Sequence, residues 1–419
     1  MAGKFSRRAL LQRTVLGTGA MALGAPAVFA QAEEKVIRCG VVTSLSGDNR
    51  FGGNLTRRGY DLWAEEINKL GGIEIAGQRY PVKMFYGDAQ SRPASGADAA
   101  VRLIIQDKVD VLFGPYTSGV TLAVQPISAK YQVPMISGSA ESPNVWLSKP
   151  AFNFGMIPAV DLTSGDSIKV LAESLGSQAK SAAVIGVDEP FSKETAEGFR
   201  NGVQETGLEL KRFELFPANA DLTPVISKLK ADNPDIVAVG GHESVFINFV
   251  NAAVSLDYKP KALIMHYGVT SAAFITQLGE NANGVLGVSV WTAGLPYRDD
   301  LFGTASDYSE LSFTRWGTRP DYTEAACSAS GLVLQDAARR LGKAPPWDQQ
   351  TRVELTKAIE DTDIETFYGP VAFAKEGDHF HNNIKPVPVV VQIKGGKVVP
   401  VAPSGASEGE LLYPMPGAS

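Results

Sequence analysis

In the stretch VDVLFGPYTSGVTLAVQPI, an apolar run from Val109 to Phe113 meets the pair Gly114-Pro115 and then three hydroxyl residues, Tyr116, Thr117 and Ser118, before the pattern turns helical. A strand that turns directly into a helix leaves the first N–H groups of that helix without intrahelical acceptors, under a partial positive charge from the aligned peptide dipoles. Ser118 at that mouth suits an anion such as a carboxylate. It equally suits a plain capping role shared with Thr117. The remaining chemistry-bearing patterns are weaker. His379 and His381 in GDHFHNN project to one face if the segment is a strand, yet two ligands do not make a metal site, and a polar turn accounts for them. His242-Glu243 has the composition of a proton-transfer pair, but neighbours at a helix start diverge in direction. No GxxxxGK[ST] loop, HExxH pair or CxxC occurs. Neither a metal nor a cofactor is expected.

The ends and totals bound what such residues can serve. Ser6-Arg7-Arg8-Ala9-Leu10-Leu11 is a twin-arginine motif, followed by a modestly apolar stretch from Val15 to Ala30 that ends in AVFA. Gly17, Gly19, Gly24 and Pro26 interrupt that stretch, so it lacks the ~18 unbroken apolar residues of a spanning helix. The expectation is a leader over residues 1–30, cleaved after Ala30, with export of the folded chain to the periplasm and no membrane insertion afterwards. Losing Lys4, Arg7, Arg8 and Arg13 with no acid takes the formal charge from -6 to -10. So acidic a chain is a poor partner for nucleic acid. About 390 residues exceed the size at which one core stops growing, which implies two domains. Cys39 and Cys327 are expected to be buried, unpaired thiols.

Short apolar runs alternate with amphipathic ones from VIRCGVV onward. PVKMFYGDA, VDVLFGP and VPMISGS read as strands, separated by helices near 55–70, 94–106 and 120–130. A second series follows FNFGMIP, with strands in AAVIGVD, LKRFELF, DIVAVGG, ALIMHYG and GVLGVSVW. Such alternation implies parallel sheets with helices on both faces, two α/β units written one after the other. A mainly helical stretch runs from Asp300 to Glu360, and Gly395-Gly396 between two Val/Ile runs marks a terminal hairpin. If the late helices pack on the first unit and the late strands on the second, the chain crosses three times, near Asn153–Pro158, Thr292–Pro296 and Thr362–Phe367. That places residues 35–154 plus 295–363 in an N-terminal lobe and 155–294 plus 364–419 in a C-terminal lobe, with short connections able to hinge.

The stretches GVVTSLSGDNRFGGNLTRRGYDLWAEEINKLGGI, VLFGPYTSGVTLAVQPISAKYQVPMIS, DLTPVISKLKADNPDIVAVGG and LLYPMP resemble the periplasmic substrate-binding proteins of branched-chain amino acid type, the type I fold that feeds ABC importers. The resemblance covers essentially the whole chain after the leader. It implies two doubly wound α/β lobes joined by three hinge crossovers, with a small solute trapped between them and handed to an ABC permease in the membrane. It also implies, position by position, that Ser118 binds the ligand's carboxylate with help from backbone in the loop from Gly138 to Glu141, which contains Ser139 and Ala140. Phe51 and Phe191 match positions that lay rings or polar groups over the ligand, and His242 one that often holds a tyrosine. Tyr267 falls where amino-acid binders supply the carboxylate that holds the ligand's ammonium, and here there is no acid.

A buried ammonium without an ionised partner costs several kcal/mol. Glu141 is the candidate substitute, unless it is a solvated loop acid that caps the Ser142-Pro143 turn. Phe51, Trp146, Phe191 and Tyr267 form instead a slot for an aromatic or short-chain carboxylate, unless they are plain packing. The expectation is a non-enzymatic binder of a small carboxylate-bearing solute, foremost an amino acid. Aromatic or aliphatic carboxylates, short amides or urea, and a role as a periplasmic ligand sensor are the alternatives.

Overall fold

The computed structural model describes residues 35–266, 268–404 and 407–418. The expected leader over 1–30 and the expected site residue Tyr267 lie outside them.

Five strands form the first sheet: β1 (Ile37–Thr43), β2 (Val82–Asp88), β3 (Val111–Phe113), β4 (Met135–Ser137) and β5 (Asn153–Gly155). They lie in the order β2-β1-β3-β4-β5, all parallel. The second sheet has β6 (Ser181–Val187), β7 (Glu209–Phe216), β8 (Ile236–Gly240), β9 (Ala262–His266), β10 (Leu286–Ser289), β11 (Val389–Lys394) and β12 (Lys397–Ala402). Its order is β12-β11-β10-β9-β8-β6-β7, parallel apart from the terminal hairpin β11–β12, which turns at Gly395-Gly396. Every residue of β6 and β8 is buried, as the uninterrupted apolar runs require of parallel strands covered on both faces. The protein is therefore two α/β lobes, and among the described residues no helix is long and apolar enough to cross a membrane.

Two long helices place the first lobe's site. Helix α1 (Arg50–Lys69) and helix α2 (Ser118–Tyr131) follow β1 and β3. On the second lobe, α3 (Val160–Leu175), α4 (Pro190–Thr206) and α5 (Glu243–Ser255) follow β5, β6 and β8. The late helix α6 (Tyr322–Leu341) packs on α1 so closely that Ser328 Oγ donates to the Gly59 carbonyl at 2.6 Å. A Cβ at Gly331 would sit 2.0 Å from the Trp63 ring, so the glycine is what lets the indole lie across α6. That packing carries Asp321 and Tyr322, at the start of α6, to the edge of the first sheet.

The third crossover lies later than the sequence implied. Thr362–Phe367 does not leave the first lobe: Asp363–Thr366 pairs antiparallel with Gly369–Ala372, and Phe367, Tyr368, Val371 and Phe373 join the apolar cluster of α1 and α6. Asn382 then bridges to Gly155, and the chain passes to β11 only after Asn383. A helical period was not legible in Ala272–Leu278 either, a short helix after β9 capped by Ser271.

Candidate ligand-binding site between the lobes

One side chain ties the two strand-end loops of the first lobe together. Tyr60 of α1 accepts the N–H of Gly114 and the N–H of Gly138, each at 3.0 Å, and its ring stacks on Phe113 with centroids 4.7 Å apart. Gly114 has φ of 82°, and an added Cβ would lie 2.3 Å from the Val42 carbonyl, so the turn after β3 admits only glycine. Thr117 is the helix cap, accepting the Val120 N–H at 3.4 Å. Ser118 acts elsewhere. Its Oγ accepts the Ser142 N–H at 3.0 Å, joining the mouth of α2 to the loop after β4. Ser139 Oγ donates to the Pro115 carbonyl across the same gap.

Glu141 is not a solvated loop acid, since it is 1% exposed. Its Oε1 accepts the Tyr322 hydroxyl at 3.2 Å, while Oε2 has no hydrogen-bond partner among the described residues. Burial pushes its carboxyl well above the usual range. The Tyr322 hydrogen bond opposes this, and the negative charge of Asp321 adds to it.

The second lobe presents three rings. Glu189 caps α4 by accepting the Ser192 N–H at 2.7 Å, which fixes Phe191 in the first turn. His242 precedes α5 and stacks on Phe191, centroids 4.9 Å apart, with its Nε2 3.5 Å from Glu189. His266, the last residue of β9, meets the Phe191 ring edge-on and shares a hydrogen bond of 2.9 Å with Thr163 of α3. Burial lowers both histidines, His266 to about 3 and His242 against an opposing pull from Glu189. Phe191, although carried by the second lobe, belongs to the apolar cluster of the first.

Ser118, Ser139, Glu141, Phe191 and His242 are thus brought around one cavity, together with Tyr116. Its volume is about 10 Å³, room on the order of one water. Two expected residues are elsewhere. Phe51 is half-buried beneath the Arg50 guanidinium, 4.8 Å from its ring, and Tyr116 takes its place in the wall. That substitution is possible because residue 52 is glycine: a Cβ there would lie 1.9 Å from the Tyr116 ring. Ala140 faces Val145, Trp146 and Ala159, a packing position, and only its N–H reaches the loop, donating to Ser137. Trp146 belongs to that same packing cluster and not to an aromatic slot.

Sequence reasoning missed Tyr60, Tyr116, Thr163, His266 and Tyr322. His266 closes an otherwise apolar strand, where a single polar residue carries no local signal of a site.

The weaker patterns have other partners. His379 meets Asp161 at 3.0 Å, whereas His381 stacks on Phe154 and approaches Glu360, so the pair diverges. Among the described residues no group of three or more potential ligands could hold a metal. Glu243 turns to Ser271, whose hydroxyl donates to it at 2.6 Å, and away from His242. Gly405-Ala406-Ser407-Glu408-Gly409 has the GxSxG spacing, its first two residues lie outside the described ones, and Ser407 Oγ donates to the Gly409 carbonyl. Cys39 and Cys327 are both free and buried.

Comparison with known proteins bears on this arrangement. The family model described as periplasmic binding protein matches residues 36–397. Leu/Ile/Val-binding protein homolog 7 of Brucella abortus (strain 2308) is 23% identical over 436 residues, spanning 97% of this chain and 100% of that protein. The branched-chain amino acid transporter substrate binding protein LivJ from Streptococcus pneumoniae, solved with isoleucine, has a TM-score of 0.75 at 22% identity over 91% of this chain and 100% of that one. A solute binding protein of an ABC transporter from Rhodopseudomonas palustris BisB5, solved with 3,4-dihydroxy benzoic acid, has a TM-score of 0.74 at 19% identity, covering 92% and 99%.

Proposed function

Starting from the fact that the chain belongs to the periplasmic binding protein family, in its branched-chain amino acid type, we propose that it binds an α-amino acid between its lobes for delivery to an ABC permease. The observation that carries this reading is the pairing of Ser118, at the mouth of α2, with the partnerless Oε2 of Glu141 on the wall of one cavity. The helix mouth, the Ser118 hydroxyl and backbone N–H groups near Ser139 receive the ligand's carboxylate. Glu141 receives its ammonium from the first lobe, in place of an acid on the second. The ligand brings the positive charge that makes ionisation of this buried carboxyl favourable.

The mechanism is hinge closure. A cavity of about 10 Å³ is too small for an amino acid, so the lobes part and the Phe191–His242 stack withdraws before the solute enters. Contacts of the solute with Phe191, His242 and His266 form only on closure, and that difference in contacts shifts the open–closed equilibrium. The hinges are the three connections that follow β5, β10 and Asn383. The protein acts as a carrier and not as an enzyme. It reaches the periplasm folded, through the twin-arginine motif at Arg7-Arg8, and the leader is removed after Ala30.

A second reading has its own support. Tyr116, Phe191 and His242 give the cavity three aromatic walls, and a similarly folded protein was solved with 3,4-dihydroxy benzoic acid. An aryl carboxylate would leave Glu141 protonated, donating a hydrogen bond. Thermal shift on a panel of amino acids, aryl carboxylates, short acids and amides separates the two. Ligand at a hundred times its dissociation constant adds ~2.7 kcal/mol. Stabilisation by amino acids supports the first reading, and stabilisation by aryl carboxylates alone rejects it.

A further inference from the structure

A second, larger cavity of about 610 Å³ is also walled by both lobes, with Trp291, Phe313 and Tyr322 as its apolar faces. That volume is in the range of small-molecule sites. Tyr322 links the two: it lines the larger, and its hydroxyl donates to Glu141, which lines the smaller.

Two polar atoms on the larger cavity's walls have no hydrogen-bond partner among the described residues. One is Oδ2 of Asp321, on a side chain that is 3% exposed; the other is Oγ1 of Thr270. Capping explains only half of Asp321, because its Oδ1 accepts the Glu324 N–H at 2.9 Å while Oδ2 is left over. Buried polar atoms are ordinarily satisfied. Asp321 is carried by the first lobe and Thr270 by the second, so a group between them is gripped only when the lobes meet.

Asp321 is the acid that acts on its neighbours as a charge: its negative charge helps raise the carboxyls of Glu141, Glu243 and Glu324. Arg319 is already held by Glu310 at 2.5 Å, and Arg58 donates to Thr318 and only partly offsets Asp321.

We propose that this cavity receives a second, cationic group of the ligand, an ammonium or guanidinium at the end of an extended side chain, held between Asp321 Oδ2 and Thr270 Oγ1. This rests on the amino-acid reading above and narrows it from compact aliphatic side chains to long basic ones. The α-carboxylate and α-ammonium stay at Ser118 and Glu141, and the side chain passes Tyr322.

Titration calorimetry with L-lysine, L-arginine and L-norleucine tests it, since norleucine keeps the aliphatic chain and lacks the terminal nitrogen. The expected result is at least tenfold tighter binding of lysine or arginine than of norleucine. Asp321→Asn retains the capping oxygen and should bring that preference within about twofold while leaving norleucine unchanged; Thr270→Val should reduce it in part. Norleucine binding as tightly as lysine, or either variant weakening all three ligands alike, overturns the inference. If norleucine binds and Glu141→Gln abolishes that binding, the amino-acid reading survives such a failure. If none of the three binds, this inference falls, and stabilisation by other amino acids in the thermal-shift panel decides the reading beneath it.

Discussion

Glu141 of the first lobe and His266 of the second face each other across the cleft, carboxylate oxygen to imidazole nitrogen at 3.9 Å, and each is about 2% exposed in its side chain. Burial raises the acid and lowers the histidine to about 3, so both favour their neutral forms. A neutral pair is one that an arriving cation reverses on the acid side.

Replacing Glu141 by Gln keeps the shape and the hydrogen bond from Tyr322 but removes the charge. Amino-acid binding should weaken by about 3 kcal/mol or more, the usual cost of leaving a buried charge without its partner. Calorimetry measures it. An aryl carboxylate, if one binds at all, should lose much less.

Ser118→Ala should weaken any carboxylate ligand by ~1–3 kcal/mol. Because Ser118 also accepts the Ser142 N–H, Thr is the informative companion: it keeps the hydroxyl and should restore most of the affinity. Unchanged binding in the alanine variant would remove Ser118 from the ligand's surroundings.

Tyr60→Phe tests whether the two loops are positioned from behind. The variant leaves the Gly138 N–H without its acceptor and takes one of two acceptors from Gly114. Stability should fall by ~1–3 kcal/mol in denaturant titrations, and affinity should fall with it although Tyr60 touches no ligand. A stability loss with intact affinity would confine the residue to packing.

Stability should also fall as pH rises from 6.5 to 8 in the unliganded protein. Burial lifts Glu243 to about 7 and Glu324 to about 8, from 4.5. The native state therefore keeps protons that the unfolded chain has released, and stability drops between the unfolded and folded values. His266 acts oppositely, but its contribution is lost only as pH falls below 6.5. Each retained proton is worth ~1.4 kcal/mol per pH unit. Denaturant titrations at the two pH values give the slope, and Glu324→Gln should flatten it. A rise in stability over that window would contradict the burial of these acids.

Much of this was legible beforehand, for reasons that particular residues make plain. The parallel strands announced themselves because burial on both faces forces runs such as Ile236–Gly240 to be apolar throughout. Ser118 was found because Gly114-Pro115 marks where the strand stops, and Glu141 because it stands one loop further on. His266 and Tyr322 were hidden. One is a polar residue closing an otherwise ordinary strand, and the other lies 181 positions from the carboxylate it contacts, so no local spacing reports the meeting. The late third crossover was obscured because Asp363–Thr366 pairs with its neighbour Gly369–Ala372 inside the first lobe, and hairpins read alike whichever lobe they cover.

The most direct measurement is the number of protons exchanged when an amino acid binds, from calorimetry at pH 6 in buffers of differing ionisation heat. The account predicts proton release by the wild-type protein and none by Glu141→Gln, because the ammonium drives ionisation of a carboxyl that burial raises. Tight amino-acid binding with no proton released, and the same in both proteins, would contradict it.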